Sequence, residues 1–433
     1  MNEPDESITL VSDIVSSKPK QNSKLIKIIS ILTAVMAGIS IFFLLVTGVY
    51  YFCCRQQKFI FNGWLNPIPI LILSIILIIG YSMACYQLKK YWKTNLDKQQ
   101  NKKQITILFI VFTLFSLCFM IQITGNWGPI VMPLQNGTQI VIYTFLTKNV
   151  AIHTNLDGIS AKQTSFGRKH SFFVKSRKFE FEYNNQNIKV NIQSLNSFIL
   201  ISDNHSQSGL QSILQQQTDL ILSAGDNTND GFLQDFFAFF RYYPRQIPFL
   251  SAMGNHDRRM NEDIFGFDYR NYYTCVDGVG FYFVNVQNRA VDAKITKKDV
   301  DEAVEFLQTV YEEDEIRIII CHAPIYPQRS EIGKYYANEF EKILDKQQFQ
   351  YVLSGHTHVF AHFNRNQINH ITGGTVGGHP DKFTSEKTEY GMDYFVNSID
   401  KTKSFIKFER NKERNKFDAI VYDLNGKQLY KIN

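Results

Sequence analysis

Between Phe198 and Ser354 the chain runs through five short apolar segments, and each delivers a residue able to ligate a metal ion. FILI precedes Asp203, LIL precedes Asp226, PFL lies upstream of Asn255, IRIII precedes His322 and YVL precedes His356. Segments with helical spacing lie between them. In DVDEAVEFLQTVYEE, Val300, Val304, Leu307 and Val310/Tyr311 fall on one stripe. Strands alternating with helices predict an α/β domain with a layered sheet, whose functional groups gather at the carboxyl ends of the strands. The pattern therefore constrains both the order of elements and the end of the sheet where chemistry sits.

The residues at those ends are Asp203 and His205 (SDNHS), Asp226 (AGDN), Asn255 and His256 (MGNHD), His322 (CHAP), and His356 and His358 (SGHTH). Each fragment alone is common, and a single histidine after a strand is usually a satisfied structural residue. Together they take five of the chain's ten histidines. Oxygen and nitrogen donors suit Mn, Fe, Zn or Mg rather than a thiolate site, and no Cys-x-x-Cys pair is present. Seven donors, His256 left aside, exceed one ordinary four-coordinate site but serve two ions if a carboxylate bridges them. Two ions about 3.5–4 Å apart can clamp the attacking and leaving oxygens of an in-line phosphoryl displacement and make a bound water acidic.

In this order and at these intervals the motifs resemble the calcineurin-like metallophosphoesterase superfamily, over about residues 196–380. The resemblance implies a four-layer α/β/β/α domain with two divalent or trivalent ions. It assigns Asp203, His205 and His358 to one ion and Asn255, His322 and His356 to the other, with Asp226 bridging. A hydroxide between the ions would attack phosphorus, and His256 would face the leaving group or steady the phosphoryl oxygens. Asp257, adjacent to His256, is expected to orient it. The chain departs from the protein serine/threonine phosphatases, which continue the second motif as G-D-x-x-D-R-G, because Asn229 stands at the acidic position and no Arg follows. It departs from purple acid phosphatases too, with His205 closing the first motif and Asn229 in place of a Tyr, so a tyrosinate-bound ferric ion is not expected. A β-domain ahead of the catalytic domain is similar to purple acid phosphatase architecture in a loose sense.

Residues 127–195 alternate apolar and polar positions, in QIVIYTFL and in KFEFEY and NIKVNIQ around NNQN, and predict a small β-sandwich-like domain before the catalytic domain of 196–433. The N-terminal quarter reads differently. Three uncharged runs, about 28–51, 65–88 and 105–125, are each long enough to cross a membrane as a helix, after a polar tail of residues 1–27. Ten lysines in the tail and second connection, against Arg55 and Lys58 in the first, predict a multi-pass protein with the N-terminus cytoplasmic. The catalytic domain is then extracellular or lumenal, and Asn136 of Asn-Gly-Thr is an expected glycosylation site. The net charge of +6 arises in this same quarter: residues 1–103 hold 12 Lys/Arg against 5 Asp/Glu, the remainder 34 against 35. No nucleic-acid partner is expected of the large C-terminal part.

Cys275 and Cys321, the two cysteines beyond the apolar runs, fit either a bridge or two separate thiols. ITGGTVGG (371–378) fits a phosphate cradle or a tight loop beside the metal site; no Lys follows as in a P-loop. FFAFFRYY (236–243) reads as a core helix face or a lipid- or substrate-facing patch. His362, His370 and His379 are expected at the surface or behind the metal ligands. The C-terminal tail reads as a β-hairpin turning at Asn425-Gly426. Two functions follow. One is a membrane-anchored phosphoesterase acting on phosphate mono- or diesters, with a small molecule or glycolipid head group as substrate and membrane lipid as neighbour. The other is an inactive receptor or scaffold that binds a phosphorylated ligand.

Overall fold

The computed structural model describes residues 127–143, 169–183, 186–206, 216–229, 247–257, 271–287, 294–384 and 389–432, with shorter pieces between them. Seven antiparallel strands come first: β1 (Trp127–Leu134), β2 (Gly137–Tyr143), β3 (His153–Thr154), β4 (Lys162–Phe166), β5 (Lys169–Val174), β6 (Lys178–Tyr183) and β7 (Gln186–Asn191). They form a four-stranded sheet, β1-β2-β5-β4, and a three-stranded sheet, β3-β6-β7. The alternation seen in the sequence sorts the faces. In β6 the side chains of Phe179, Phe181 and Tyr183 turn inward, as a period of two requires. β6 and β7 close a hairpin with Tyr183 opposite Gln186.

Two larger sheets follow. The first, in the order β10-β9-β8-β18-β19-β20, contains β8 (Ser197–Ile201), β9 (Leu220–Ser223), β10 (Phe249–Ser251), β18 (Ser404–Asn411), β19 (Lys416–Asp423) and β20 (Gln428–Ile432). The second, in the order β11-β12-β13-β14-β16-β15-β17, contains β11 (Tyr272–Val276), β12 (Val279–Val284), β13 (Ile316–Cys321), β14 (Tyr351–Ser354), β15 (Phe360–Arg365), β16 (Ile368–Thr372) and β17 (Phe395–Ile399). β8, β9 and β10 run parallel, as do β12, β13, β14 and β16. Their largely apolar, buried sequences match strands covered on both faces. The sheets pack face to face. Phe198 of β8 stacks on Phe408 at 4.4 Å and meets the edge of Phe281 of β12 at 5.8 Å, and Tyr351 of β14 donates to the Phe417 carbonyl of β19.

Helices α1 (Lys297–Leu307) and α2 (Glu331–Lys346) cover the outer face of the second sheet. Each starts at a hydroxyl cap: Thr296 accepts from the Asp299 N–H, and Ser330 from the Gly333 N–H. The α1 stripe is shorter than expected. The helix ends at Leu307, and Tyr311 packs from the following loop, stacked on Tyr273 at 4.1 Å. The helical layer expected over the first sheet lies outside the described residues except at isolated positions. Of these, Ile213, Phe239, Phe240 and Tyr243 are buried, so the described residues of FFAFFRYY belong to the core. The C-terminal hairpin forms between β19 and β20, with Gly426 in the left-handed region at φ 80°.

The membrane expectation is corrected. No helix among the described residues is long and apolar enough to cross a membrane; the α-helices they contain have 11 and 16 residues and a polar face. The expected spans at 28–51, 65–88 and 105–125 lie outside the described residues, as does the tail before them. Run length and hydropathy measure fitness for a bilayer and do not by themselves make a spanning helix. The multi-pass topology and the extracytoplasmic catalytic domain fall with that inference, and a lipid partner is not shown. Asn136 stands exposed in the β1–β2 turn while Thr138 is buried, its hydroxyl bonded to the Ser176 carbonyl. The export on which its glycosylation reading depended is no longer supported. Cys275 and Cys321 are both free thiols.

Candidate metal centre

The C-terminal ends of β8, β9 and β10 lie side by side in one sheet, and those of β13 and β14 in the other. Asp203 and His205 follow β8, Asp226 follows β9, Asn255 and His256 follow β10, His322 follows β13, and His356 and His358 follow β14. The chain leaves these strands abruptly. Asp203, His205, Asp226, His356 and His358 all have φ between 50° and 75°. Left-handed backbone costs a non-glycine residue on the order of 1–3 kcal/mol and gathers at functional sites. Here it turns each side chain back across the strand end.

Glycine is needed where two loops touch. A Cβ on Gly254 would lie 2.1 Å from Asp226 Oδ1, and one on Gly225 would lie 2.6 Å from the Gly254 nitrogen. That contact explains the glycine before both Asp226 and Asn255. It also lets the His256 N–H donate to Asp226 Oδ1 at 2.8 Å.

The donors form two adjoining groups. In one, His205 Nε2 lies 3.0 Å from His358 Nε2, which lies 3.4 Å from Asp203 Oδ1. In the other, His322 Nε2 is 3.3 Å from Asp226 Oδ2 and 3.1 Å from Asn255 Oδ1, and His356 Nδ1 is 3.0 Å from Asn255 Oδ1 and 3.2 Å from His322 Nε2. Asp226 Oδ2 is 3.9 Å from His205 Nε2 and so faces both groups. Ligands at about 2.0–2.2 Å from one ion stand roughly 3–3.5 Å apart, which is the spacing seen.

Tautomers support the same fit. His322 Nδ1 donates to the Ala224 carbonyl at 2.8 Å, and His358 Nδ1 to the His379 carbonyl at 2.9 Å. Each bond turns the Nε2 lone pair inward, and for neutral His322 that lone pair meets the Asn255 oxygen. Acceptor facing acceptor at such distances calls for a cation or a proton between them. The residues fit two metal ions, and three groups of His and Asp atoms lie close enough to hold one. The third group joins His256 to His205 and Asp226, a closeness the sequence did not signal.

Electrostatics follow from burial and pairing. Burial alone would raise the Asp226 carboxyl, but the His322 imidazole holds it well below the usual carboxylate range. Burial would lower His322, yet the Asp226 carboxylate raises it to about 9. Burial, and then His322, push His356 down to about 4. Burial lowers His205, whereas its bond to Asp203 raises His358.

Asp257 is not where adjacency put it. Its carboxylate accepts from the N–H groups of Gly254, Asn227 and Thr228 and from the side chains of Asn227 and Thr228. It is fully buried and ties the Asp226 loop to the Asn255 loop. The His256 ring instead meets the backbone carbonyl of Asn229 through Nδ1. The glycine-rich run packs against the first motif: the N–H groups of Gly377 and Gly378 and the Thr375 hydroxyl all reach the Asp203 carbonyl. Those N–H groups are committed to the chain, which matches a bordering loop and not a phosphate cradle. His362 and His370 are buried among β15 and β16, not at the surface, while His379 is exposed.

Residues 197–360 match the family model described as calcineurin-like phosphoesterase. Among solved structures, a purple acid phosphatase from yellow lupin (Lupinus luteus) seeds is 11% identical, with a TM-score of 0.51, over 72% of this chain and 74% of that one. A dimetal phosphatase from Danio rerio is 10% identical, with a TM-score of 0.38, over 55% of this chain and 98% of that one. No curated protein matches the chain. At such low identity the lupin likeness is one of fold.

Proposed function

We propose that this chain, a metal-dependent phosphoric ester hydrolase whose residues 197–360 carry the calcineurin-like phosphoesterase fold, cleaves phosphate mono- or diesters at a centre of two metal ions. The reading rests above all on seven oxygen and nitrogen donors that converge from five strand ends with ligand-like spacing. Asp203, His205 and His358 would hold one ion, Asn255, His322 and His356 the other, and Asp226 would serve both. When bound, such ions neutralise phosphoryl charge and make a water nucleophilic near neutral pH.

The chain's own groups do the rest. Asp226 keeps its carboxylate ionised beside His322, and its Oδ1 is fixed by the His256 N–H. His256 is oriented by the Asn229 carbonyl, which leaves Nε2 to meet the substrate. From there it hands a proton to the leaving oxygen or donates to a phosphoryl oxygen. Asp257 holds the two loops in register and does not touch the His256 ring through any bond seen.

The test is hydrolysis of p-nitrophenyl phosphate and its bis ester by the full chain with Mn²⁺, beside Asp226→Asn. Release that depends on metal and falls by about 10³-fold or more in the variant is expected. Undiminished turnover in Asp226→Asn would refute the assignment. A folded chain that binds no metal and releases nothing would favour a binding module.

A further inference from the structure

The loop that carries His322 is held by helix α2 at Ala323 and Tyr326, and by its own Gln328. Immediately after His322, the Ala323 carbonyl accepts from the Tyr336 hydroxyl at 2.9 Å, and Tyr336 is fully buried. The next carbonyl, of Pro324, accepts from Gln328 Nε2 at 2.7 Å. Tyr326, only 2% exposed, donates its phenol to Glu341 Oε1. Glu341 is itself a hub. The Tyr390 hydroxyl lies 3.1 Å from each of its oxygens, and Arg365 Nη2 lies 3.6 Å from Oε2. Arg365 is fixed in turn by a two-bond pairing with Asp345, both bonds at 3.0 Å. The Glu341 and Arg365 side chains are each 13% exposed, so the carboxylate is compensated by named partners and little by solvent.

This arrangement serves no ligand role, and its cost is not trivial. A nearly buried carboxylate is retained only when its partners compensate its desolvation. Here the partners converge on Glu341, and one of them is the phenol of Tyr326, four residues beyond His322. His322 is the ligand with the tightest demands: it must keep Nδ1 on the Ala224 carbonyl while Nε2 faces Asp226 and Asn255. Nothing on α2 approaches the other group of donors through a bond seen among the described residues.

We infer that Glu341, acting through Tyr326, is a positioning residue for His322 and sets the affinity of the second metal group while leaving the first untouched. The inference rests on the two-metal reading above and adds a residue outside the motifs. Groups that orient metal ligands typically change affinity by about 10–100-fold when lost.

The experiment titrates Mn²⁺ into the full-length chain and counts free Mn²⁺ by electron paramagnetic resonance. Two backgrounds separate the groups: His358→Ala leaves the second group, and His356→Ala leaves most of the first intact. Glu341→Gln is added to each, and Tyr326→Phe is a gentler version that removes one hydroxyl. Circular dichroism checks that each variant is folded. About tenfold weaker binding or more is expected in the His358→Ala background, with no change in the His356→Ala background. Equal losses in both would mean general loosening and would overturn the inference. So would unchanged binding in both, for Glu341→Gln and Tyr326→Phe alike. A wild-type chain that binds no Mn²⁺ would overturn the metal-centre reading, and this inference with it. That failure is visible in the wild type alone.

Discussion

At the scale of single residues, the pair formed by His322 and Asp226 controls how the centre responds to pH. The two atoms stand 3.3 Å apart in a dry environment. In the metal-free protein His322 is raised to about 9 by its carboxylate neighbour. Its stabilising contribution is complete below about 6.5 and disappears as pH rises through about 9. Asp226 is held low, so its contribution is complete above about 4 and is lost as pH falls through its depressed value. An ion that binds Nε2 must displace the His322 proton. Metal uptake at pH 7.5 should therefore release about one proton from this residue, read by calorimetry in buffers of different ionisation enthalpy. Uptake without proton release would contradict the pairing.

Asp257 offers a second test at this scale. Asp257→Ala strands three backbone N–H groups of two loops, at about 1–3 kcal/mol for each unsatisfied group. A fall in stability of about 3 kcal/mol or more is expected in denaturant titration, and a neutral result would contradict the clamp. The candidate ligands could be picked out in the sequence because their motifs follow apolar runs. The role of Asp257 could not, because adjacency to His256 does not reveal which way a carboxylate turns. The left-handed backbone at five of the candidate ligands is not announced by residue type, since none of the five is glycine.

At the scale of elements, β16 shows how burial overrides residue type. His370 lies beneath the Tyr326 ring at 4.8 Å, with neither ring nitrogen hydrogen-bonded. Burial pushes it down to about 3, helped by the Arg365 charge. It is neutral in the folded chain, whereas an unfolded histidine takes a proton near 6.5. Stability should therefore fall as pH drops from about 6.5 towards 3, with no contribution from this group above that range. His370→Leu should raise the melting temperature at pH 5 more than at pH 8; an equal shift at both would refute the account. Sequence position near the last motif suggested a place at the surface or behind the metal ligands, and β16 is an inner strand flanked by β14 and β15, which rules out the surface. Strand neighbours are long-range facts. The α1 stripe illustrates the same limit, since spacing carried it on to Tyr311 but the helix stops at Leu307.

At the scale of the molecule, two parallel-cored sheets bring the ends of five strands to one edge. The alternation of strand and helix made that architecture readable, as did the order of the motifs. Helix α2 then couples the outer layer to the centre through Tyr336 and Glu341, which no motif announced. The apolar N-terminal runs were readable as composition, but they lie outside the described residues, among which no helix is long and apolar enough to cross a membrane. If the two donor groups are occupied in the working protein, removing the ions should also destabilise it. At metal concentrations of about 100 Kd the loss would be about 2.7 kcal/mol per site, read as a drop in Tm on chelation.

The most direct measurement is the metal content of the purified full chain by mass spectrometry, taken on the same samples used to follow p-nitrophenyl phosphate and bis-p-nitrophenyl phosphate release. Two ions per chain, with hydrolysis that rises with occupancy and disappears in Asp226→Asn, is the predicted result. Hydrolysis that persists in a metal-free chain, or full activity with Asp226 replaced, would contradict the account.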